Sequence, residues 1–503
     1  MPKRGEATVT DLSETADATT PRSQESLALV IAGCVLEPER DGEIGFVPLL
    51  SCKLVGRVDP DTADEDDDPL VFGRQLPGEG PPMWPGARAL RGHTISSVQL
   101  EVRGTVEGLK VTRVGKLDTF VNGELLAKGD MRIVKAGGAI LLKGQVVLVC
   151  VLRPTTLPAL RAPRAVQPLG EPDEGGFAGE SVDAWNLRDL ATVAAETPDH
   201  VLVLGESGTG KELVTALVHK RSDRAHRDLV DFNAASFVES LKESTLVGNE
   251  KNYPERGTEM RPGLLGEADG GMLFLDEIGD CAIPSQLLLF RTMETGRYRP
   301  LGSTGPRTTD LRVIAATNQS TDRLRPELFG RFTTRIYVPP LDTRREDIAL
   351  ILRQLTRLRA KLQPRIATQY CRVSPSGALF PRFDPRFVDY VIRHPLTRNA
   401  RDILAILAAA IANSPEDVIL VPPPSAFGLE DGPQAVVTAP PSAARERASQ
   451  GGEEDDEDAK VERVRAVLVR VGWNLTRAAD ELGMDRTTLR RFTQKHGLTK
   501  SGT

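Results

Sequence analysis

The sequence predicts a multidomain chain that joins an all-β sandwich, an α/β domain built on a parallel sheet, and an all-α end. Three observations predict this order. Gly-punctuated strand patterns fill the N-terminal part, short apolar runs alternate with helical patterns through the middle, and Pro-rich or acidic stretches separate the units. At 503 residues the chain is also too long for one ordinary core.

Residues 1–25 are rich in Ser, Thr and Glu and are expected to be a disordered tail. Residues 26–154 carry strand patterns at Ser97 to Val102, Leu109 to Val114 and Gln145 to Leu152, which predicts a small all-β domain, a sandwich if the resemblance given below holds. Pro158, Pro163, Pro168 and Pro172 mark residues 155–176 as a linker. From residue 177 to 415, apolar runs at His200 to Leu204, Gly271 to Leu275, Leu311 to Ala316 and Arg335 to Val338 alternate with helical patterns, as in a parallel sheet flanked by helices. Residues 416–459 form a second linker, with Pro422, Pro423, Pro424, Pro440 and Pro441 ahead of the acidic block Glu453 to Asp458. Residues 460–503 read as short helices.

Composition narrows the function. Hydrophobic residues make up 40% and charged residues 27%, ordinary for a globular chain. No apolar run approaches the ~20 residues of a membrane span, and the N-terminus has no apolar signal core, so a cytoplasmic protein without a membrane partner is expected. Cys34, Cys52, Cys150, Cys281 and Cys371 form no C-x-x-C pair, which argues against zinc and disulfides. The net charge of −6 is unevenly spread: residues 460–503 hold ten Lys or Arg against four Asp or Glu. A basic tail behind an acidic linker is the footprint of a nucleic-acid contact.

The middle unit carries the chemistry. Gly205-Glu206-Ser207-Gly208-Thr209-Gly210-Lys211 follows an apolar strand and opens a helix. In that setting glycines let backbone N–H groups close around phosphate oxygens, and Lys211 reaches the terminal phosphates. Glu212 stands where the general pattern has Ser or Thr, so Mg²⁺ has to be held chiefly from elsewhere. Met272 to Leu275 ends in Asp276-Glu277, where the first carboxylate suits the metal, directly or through water, and the second suits the base that orients an attacking water.

The runs G-E-S-G-T-G-K-E, G-G-M-L-F-L-D-E-I-G-D and A-A-T-N, in this order, resemble the AAA+ domain of bacterial enhancer-binding proteins, the activators of sigma-54 RNA polymerase. The resemblance covers roughly residues 178–410 and implies an ATPase with an α/β subdomain at 177–340 and a helical lid at 341–415. It implies roles for matching residues. Asn318 is the sensor of the γ-phosphate, Asn233 restrains Glu277, Arg325 and Arg331 are arginine fingers, and Arg401 is the second sensor on the lid. A finger that serves a neighbour's ATP makes catalysis depend on assembly, so a homo-oligomer is implied, from a dimer to a hexameric ring.

One loop departs from that family. Its members grip the sigma factor with G-A-F-T-G-A, whereas here Glu250-Lys251 is followed by Asn252-Tyr253-Pro254-Glu255-Arg256-Gly257. A charged tip stiffened by proline cannot make the same apolar contact. Two readings stay open: remodelling of a polymerase-bound partner through Tyr253, Glu255 and Arg256, or a non-motor repressor or scaffold that binds ATP without activating sigma-54 polymerase.

Asn474 to Leu482, the turn at Gly483, and Asp485 to His496 form a helix-turn-helix pattern. Leu489, Phe492 and His496 share one face of its second helix, leaving Arg486, Thr487, Arg490, Arg491, Gln494 and Lys495 for double-stranded DNA. This segment is similar to the Fis-type domain that ends most enhancer-binding proteins, which implies a dimer on inverted half-sites ~34 Å apart. At the other end, Phe72-Gly73-Arg74, Ile95-Ser96-Ser97, Phe120-Val121-Asn122-Gly123 and Lys128-Gly129-Asp130 resemble a forkhead-associated domain. That implies phosphothreonine binding through Arg74 and Ser96, with a phosphothreonine protein or a Ser/Thr kinase as partner. Ser97 and Leu117-Asp118-Thr119 depart from the family's Arg and Asn-Gly-Thr, so a sandwich kept for packing on the ATPase is the alternative.

Overall fold

Two antiparallel sheets and one parallel sheet organise the computed structural model, which describes residues 25–57, 68–79, 86–162, 166–236, 242–423 and Thr493. The chain divides into two units, Met1–Ala435 and Val436–Thr503. In the second, Thr493 is helical and buried. The candidate DNA residues Arg486, Thr487, Arg490, Arg491, Gln494 and Lys495 lie outside the described residues.

The N-terminal strands run β1 (Glu25–Cys34), β2 (Ile44–Val47), β3 (Cys52–Gly56), β4 (Val98–Thr105), β5 (Gly108–Arg113), β6 (Thr119–Val121), β7 (Glu124–Leu126), β8 (Met131–Val134), β9 (Ala139–Leu142) and β10 (Val146–Pro154). They form a six-stranded sheet, β2-β1-β10-β9-β6-β7, and a four-stranded sheet, β3-β4-β5-β8. Leu29, Ile31, Leu148 and Cys150 meet Leu100, Val102, Leu109 and Val111 between the sheets. The expected sandwich is therefore present, and four of the five cysteines are buried thiols.

The nucleotide-binding half is a five-stranded parallel sheet of β11 (Val201–Leu204), β12 (Leu229–Asn233), β13 (Met272–Asp276), β16 (Arg312–Thr317) and β17 (Thr334–Tyr337), in the order β12-β13-β16-β11-β17. The hairpin β14 (Arg297–Tyr298) and β15 (Arg307–Thr308) projects between β13 and β16 in sequence. Helices α1 (Val182–Ala195) and α2 (Lys211–Arg221) cover one face, where Ala184, Leu187, Ala191, Val214 and Leu217 meet Phe274 and Ile314. The other face packs on the short α3 (Lys242–Val247), α4 (Gly263–Glu267) and α6 (Pro326–Phe329) and on α5 (Ile283–Thr295). The lid comprises α7 (Ile348–Leu362), α8 (Pro364–Tyr370), the hairpin β18 (Cys371–Val373) and β19 (Leu379–Pro381), α9 (Pro385–Arg393) and α10 (Ala400–Asn413).

Two features differ from expectation. The sandwich is not a separate body, because the outer face of β1 and β10 (Ala28, Val30, Val147, Val149) shares one core with Leu352, Phe387, Val388 and Val391 of the lid. Close approach at that seam is strict: a Cβ on Gly33 would lie 3.2 Å from Val388. A buried ion pair, Arg353 to Asp41 at 2.7 Å, crosses it. The second difference is residues 155–176, expected as a linker. Leu157 and Asp173 are buried there, and Asp173 pairs with the buried Arg188 at 3.2 Å. The described residues of this stretch are irregular, but Leu157 and Asp173 are docked anchors.

The strand that leads to the phosphate loop is fixed by His200, whose Nδ1 accepts from the Val313 N–H at 3.0 Å. Burial, with Arg312 beside it, pushes the imidazole down to about 4. A depressed histidine stabilises the fold fully above its unfolded value near 6.5 and loses that contribution as pH falls toward the folded value. The melting-temperature advantage of the wild type over His200→Gln should therefore shrink between pH 7 and pH 4; a constant difference would contradict a neutral His200. The shared core predicts that Phe387→Ala destabilises the chain by about 3–5 kcal/mol in urea unfolding. Probes placed in the sandwich and in the lid should report the same transition.

Candidate nucleotide site

The site grows from the carboxyl ends of β11, β13 and β16, beside the point where strand order reverses around β11. The apolar run of β11 buries itself in the sheet and delivers Gly205 at its end, and α2 starts at Lys211 behind Gly210, which has φ 104°. Gly208, at φ 78°, leaves no room for a side chain, since a Cβ there would lie 2.5 Å from the Arg398 carbonyl.

Every carbonyl from Gly205 to Thr209 accepts a hydrogen bond from the protein. Lys211 Nζ donates to Gly205 O at 3.0 Å and to Glu206 O at 3.2 Å. Asn399 Nδ2 donates to Ser207 O at 3.1 Å, and the Ala400 N–H donates to Gly208 O at 3.1 Å. Arg344 Nη2 donates to Thr209 O at 2.9 Å. In a trans peptide the N–H points opposite to the C=O, so the Ser207, Gly208 and Thr209 carbonyls, held by Asn399, Ala400 and Arg344, turn the N–H groups of Gly208, Thr209 and Gly210 the other way. That is an anion cradle.

The carboxylates face it. Asp276 and Glu277 are half-buried at the end of β13, and both draw the pKa of Lys211 upward while burial lowers it more strongly, for a net downward shift. Glu277 has φ 51°, and its Oε2 accepts from the Asn318 N–H at 3.3 Å. This joins the base candidate and the sensor candidate directly. Asn233 sits beside Asp276 in the β12–β13 register, but its Oδ1 accepts from Ala235 N at 2.9 Å. Its Oδ1 thus caps its own turn. Partial burial and the neighbouring charges of Asp276 and Asp231 raise the pKa of Glu212, and burial and Asp276 raise that of Asp231. Negative charge is thus concentrated opposite Lys211.

Such oxygen donors fit Mg²⁺. Among the described residues no group of three or more His, Cys, Asp or Glu closes on one point, which suits an ion that keeps waters and phosphate oxygens as ligands.

The lid reaches the same loop. Arg401 Nη1 donates to Ser207 Oγ, and Asn399 Nδ2 also reaches Glu206 Oε2 at 3.2 Å while its Oδ1 accepts from Leu341 N at 2.7 Å. Sequence reasoning missed Asn399, which is 1% exposed, although it stands two residues before Arg401. It missed Arg344 as well. The finger candidates lie elsewhere: Arg325 pairs with Glu327 at 3.2 Å, and Arg331 pairs with Glu294 and lies 5.4 Å from the Phe290 ring centre.

The altered loop is a folded knot. Asn249 Nδ2 donates to the carbonyls of Glu250, Tyr253 and Glu259, and Asn252 Oδ1 accepts from Gly257 N at 2.9 Å. Tyr253 lies over Gly302, where a Cβ would come within 2.6 Å of the ring. Glu250 pairs with Arg307 at 2.7 Å, tying the knot to the β14–β15 hairpin. Glu255 and Arg256 are exposed at its tip.

The two phosphate-contact candidates of the sandwich are not joined. Arg74 is committed to Glu180, at 2.8 and 3.2 Å, and to the Gln167 carbonyl at 2.8 Å. Ser96 Oγ accepts from Lys116 N at 3.0 Å. The buried Glu180 holds the guanidinium that the resemblance assigns to phosphate.

Residues 177–338 match the Sigma-54 interaction domain, and residues 461–491 match the bacterial regulatory protein, Fis family. The chain is 31% identical over 339 residues to the putative uric acid sigma-54-dependent transcriptional regulator UacR of Escherichia coli (strain K12), an alignment covering 65% of this chain and 55% of that protein. With the transcriptional regulatory protein ZraR of Klebsiella oxytoca it shares 33% identity over 323 residues, 62% of this chain and 67% of that protein. The crystal structure of NtrX from Brucella abortus in complex with ADP aligns at 26% identity and a TM-score of 0.43, covering 65% of this chain and 70% of that one. The chain thus spans a little over half the length of UacR and two thirds that of ZraR. No helix among the described residues is long and apolar enough to cross a membrane. With the phosphate cradle, the carboxylate pair and both family matches in one order, the chain belongs to the sigma-54-dependent transcriptional regulators, with an AAA+ ATPase domain and a Fis-family helix-turn-helix.

Proposed function

We propose that the chain is an ATP-dependent, DNA-binding transcription regulator that hydrolyses ATP in an oligomeric ring and uses the cycle to remodel a promoter-bound partner in the cytoplasm. The observation that supports this reading is that Lys211 and Arg401 bond to one glycine-rich loop, with Asp276 and Glu277 charged beside Lys211 and Glu277 held by the Asn318 N–H. Lys211 and the N–H groups of the loop bind the phosphates. Glu277 takes a proton from, and aims, the attacking water once it leaves the Asn318 N–H. Asp276, with Glu212 beside it, would hold a Mg²⁺ ion, which would supply neutralisation of phosphate charge. Arg325 and Arg331, paired outside this pocket, serve the ATP of a neighbouring subunit.

The Fis-type end binds inverted repeats as a dimer, and the ring closes from such dimers. The sandwich is read as forkhead-associated-like, with the packing role favoured over phosphothreonine capture, because the buried Glu180 occupies Arg74. A phosphothreonine protein or kinase at Arg74 and Ser96 would first have to displace that pair.

Specific ATPase activity should rise cooperatively with protein concentration, and Glu277→Gln should lower kcat by at least 10² while nucleotide binding is retained. Arg325→Ala should abolish turnover alone yet leave nucleotide binding intact. A flat concentration dependence favours the non-motor repressor or scaffold. Direct sigma-54 activation is tested by open-complex formation with sigma-54 polymerase. If the knot is the contact, Tyr253→Ala lowers open-complex yield without lowering ATPase rate, and failure of the wild type with intact ATPase removes that partner.

A further inference from the structure

The sandwich reaches the phosphate loop through a continuous chain of polar groups, all buried except the half-buried Arg74. Two of its arginines grip Glu180: Arg74 on the carboxylate, at 2.8 and 3.2 Å, and the buried Arg153 on the backbone carbonyl. The N–H groups of Glu180 and Ser181 donate to Asp347 Oδ1 at 2.8 and 2.9 Å, and Ser181 Oγ donates to Oδ2 at 2.6 Å. Asp347 is fully buried and lies 3.9 Å from Arg344, itself 1% exposed. Arg344 then donates to Pro339 O at 3.3 Å and to Thr209 O at 2.9 Å, with its guanidinium 4.9 Å from the Phe177 ring centre.

Each link has a reason to be stiff. Charge-assisted bonds in a low-dielectric interior are strong and cannot be traded for water. Asp347 has both oxygens occupied, and a side chain on Gly179 would come within 2.7 Å of it, so the Gly179–Ser181 backbone cannot slide without breaking the set. Ser181 Oγ also caps α1 by accepting from Ala184 N at 3.1 Å, so the chain is anchored in a helix at its midpoint.

We infer that Arg344 is a positioning residue that fixes the Thr209–Gly210 peptide for phosphate binding, and that the sandwich sets its alignment through Arg74, Glu180 and Asp347. The inference rests on the ATP reading of the site. When Arg344 holds Thr209 O outward, the Gly210 N–H is aimed into the cradle. Loosening Glu180 from Arg74 frees Asp347 and lets that peptide rotate. A domain remote from the phosphates thereby tunes their affinity.

The test uses the full chain, binding of a fluorescent ADP analogue, and amide hydrogen exchange across residues 205–211. Arg344→Ala should weaken nucleotide binding about tenfold, and Arg74→Ala roughly threefold. The double variant should fall short of the product of the two, because the residues act in series. Exchange in the loop should speed up in each variant even without nucleotide. Should Arg344→Ala fail to fold, Arg344→Lys takes its place: it keeps the charge, loses the two-carbonyl fork, and should bind with intermediate affinity. Folded variants with wild-type affinity and exchange, or losses that simply multiply, would overturn the relay. A wild-type chain that binds no nucleotide would instead overturn the ATP reading, and the relay with it.

Discussion

Five successive carbonyls, Gly205 to Thr209, are each spoken for by a donor from the protein. Most of the architecture around the site follows from that constraint. The donors come from three places: Lys211 in the following helix, Asn399 and Ala400 at the start of α10, and Arg344 ahead of α7. No single element can supply them, so the loop has its binding shape only when the parallel sheet and the lid are assembled together. Loss of a donor costs most at Gly205 and Thr209, the two buried positions of the five, where water cannot take its place.

The carboxylates are arranged on the opposite principle. Glu212, Asp231 and Asp276 crowd charge that none of them neutralises for the others, and Lys211 is drawn away from its ordinary behaviour by burial. A site that is tense in this way gains most from a ligand that brings both anionic phosphates for Lys211 and a cation for the acids. The N-terminal sandwich adds a further layer, because it is joined to the lid by apolar packing and by Arg353–Asp41 rather than by a hinge.

Much of this was legible in the sequence. The Gly-rich loop between an apolar strand and a helix placed Lys211, and the Asp-Glu pair closing Met272 to Leu275 placed the acids, because both signals are local and need no tertiary knowledge. Four of the five parallel strands were readable for the same reason, as short apolar runs between helical patterns. Strand β12 was not named as a strand, since Leu229–Asn233 is only partly apolar and sits at the sheet edge. Arg344 and Asn399 were invisible as loop holders: an arginine and an asparagine in irregular segments carry no periodicity, and their partners stand 135 and 192 residues away. The partner of Arg74 was hidden for a related reason. Its local context suits a phosphate, and only folding brings in the carboxylate of Glu180, 106 residues on. The docking of sandwich on lid did leave a trace. Val146 to Val151 is apolar without alternation, and in an antiparallel strand that pattern means both faces are covered.

Those doubly covered strands also constrain how this protein can be rebuilt or diversified. A receiver module that merely rests on its partner can be exchanged as a cassette at a linker. Here the outer face of β1 and β10 is complementary to Phe387, Val388 and Leu352, so a transplanted sandwich would have to carry the matching lid surface with it. A junction that separates the two parts would leave both sides of that apolar seam uncovered.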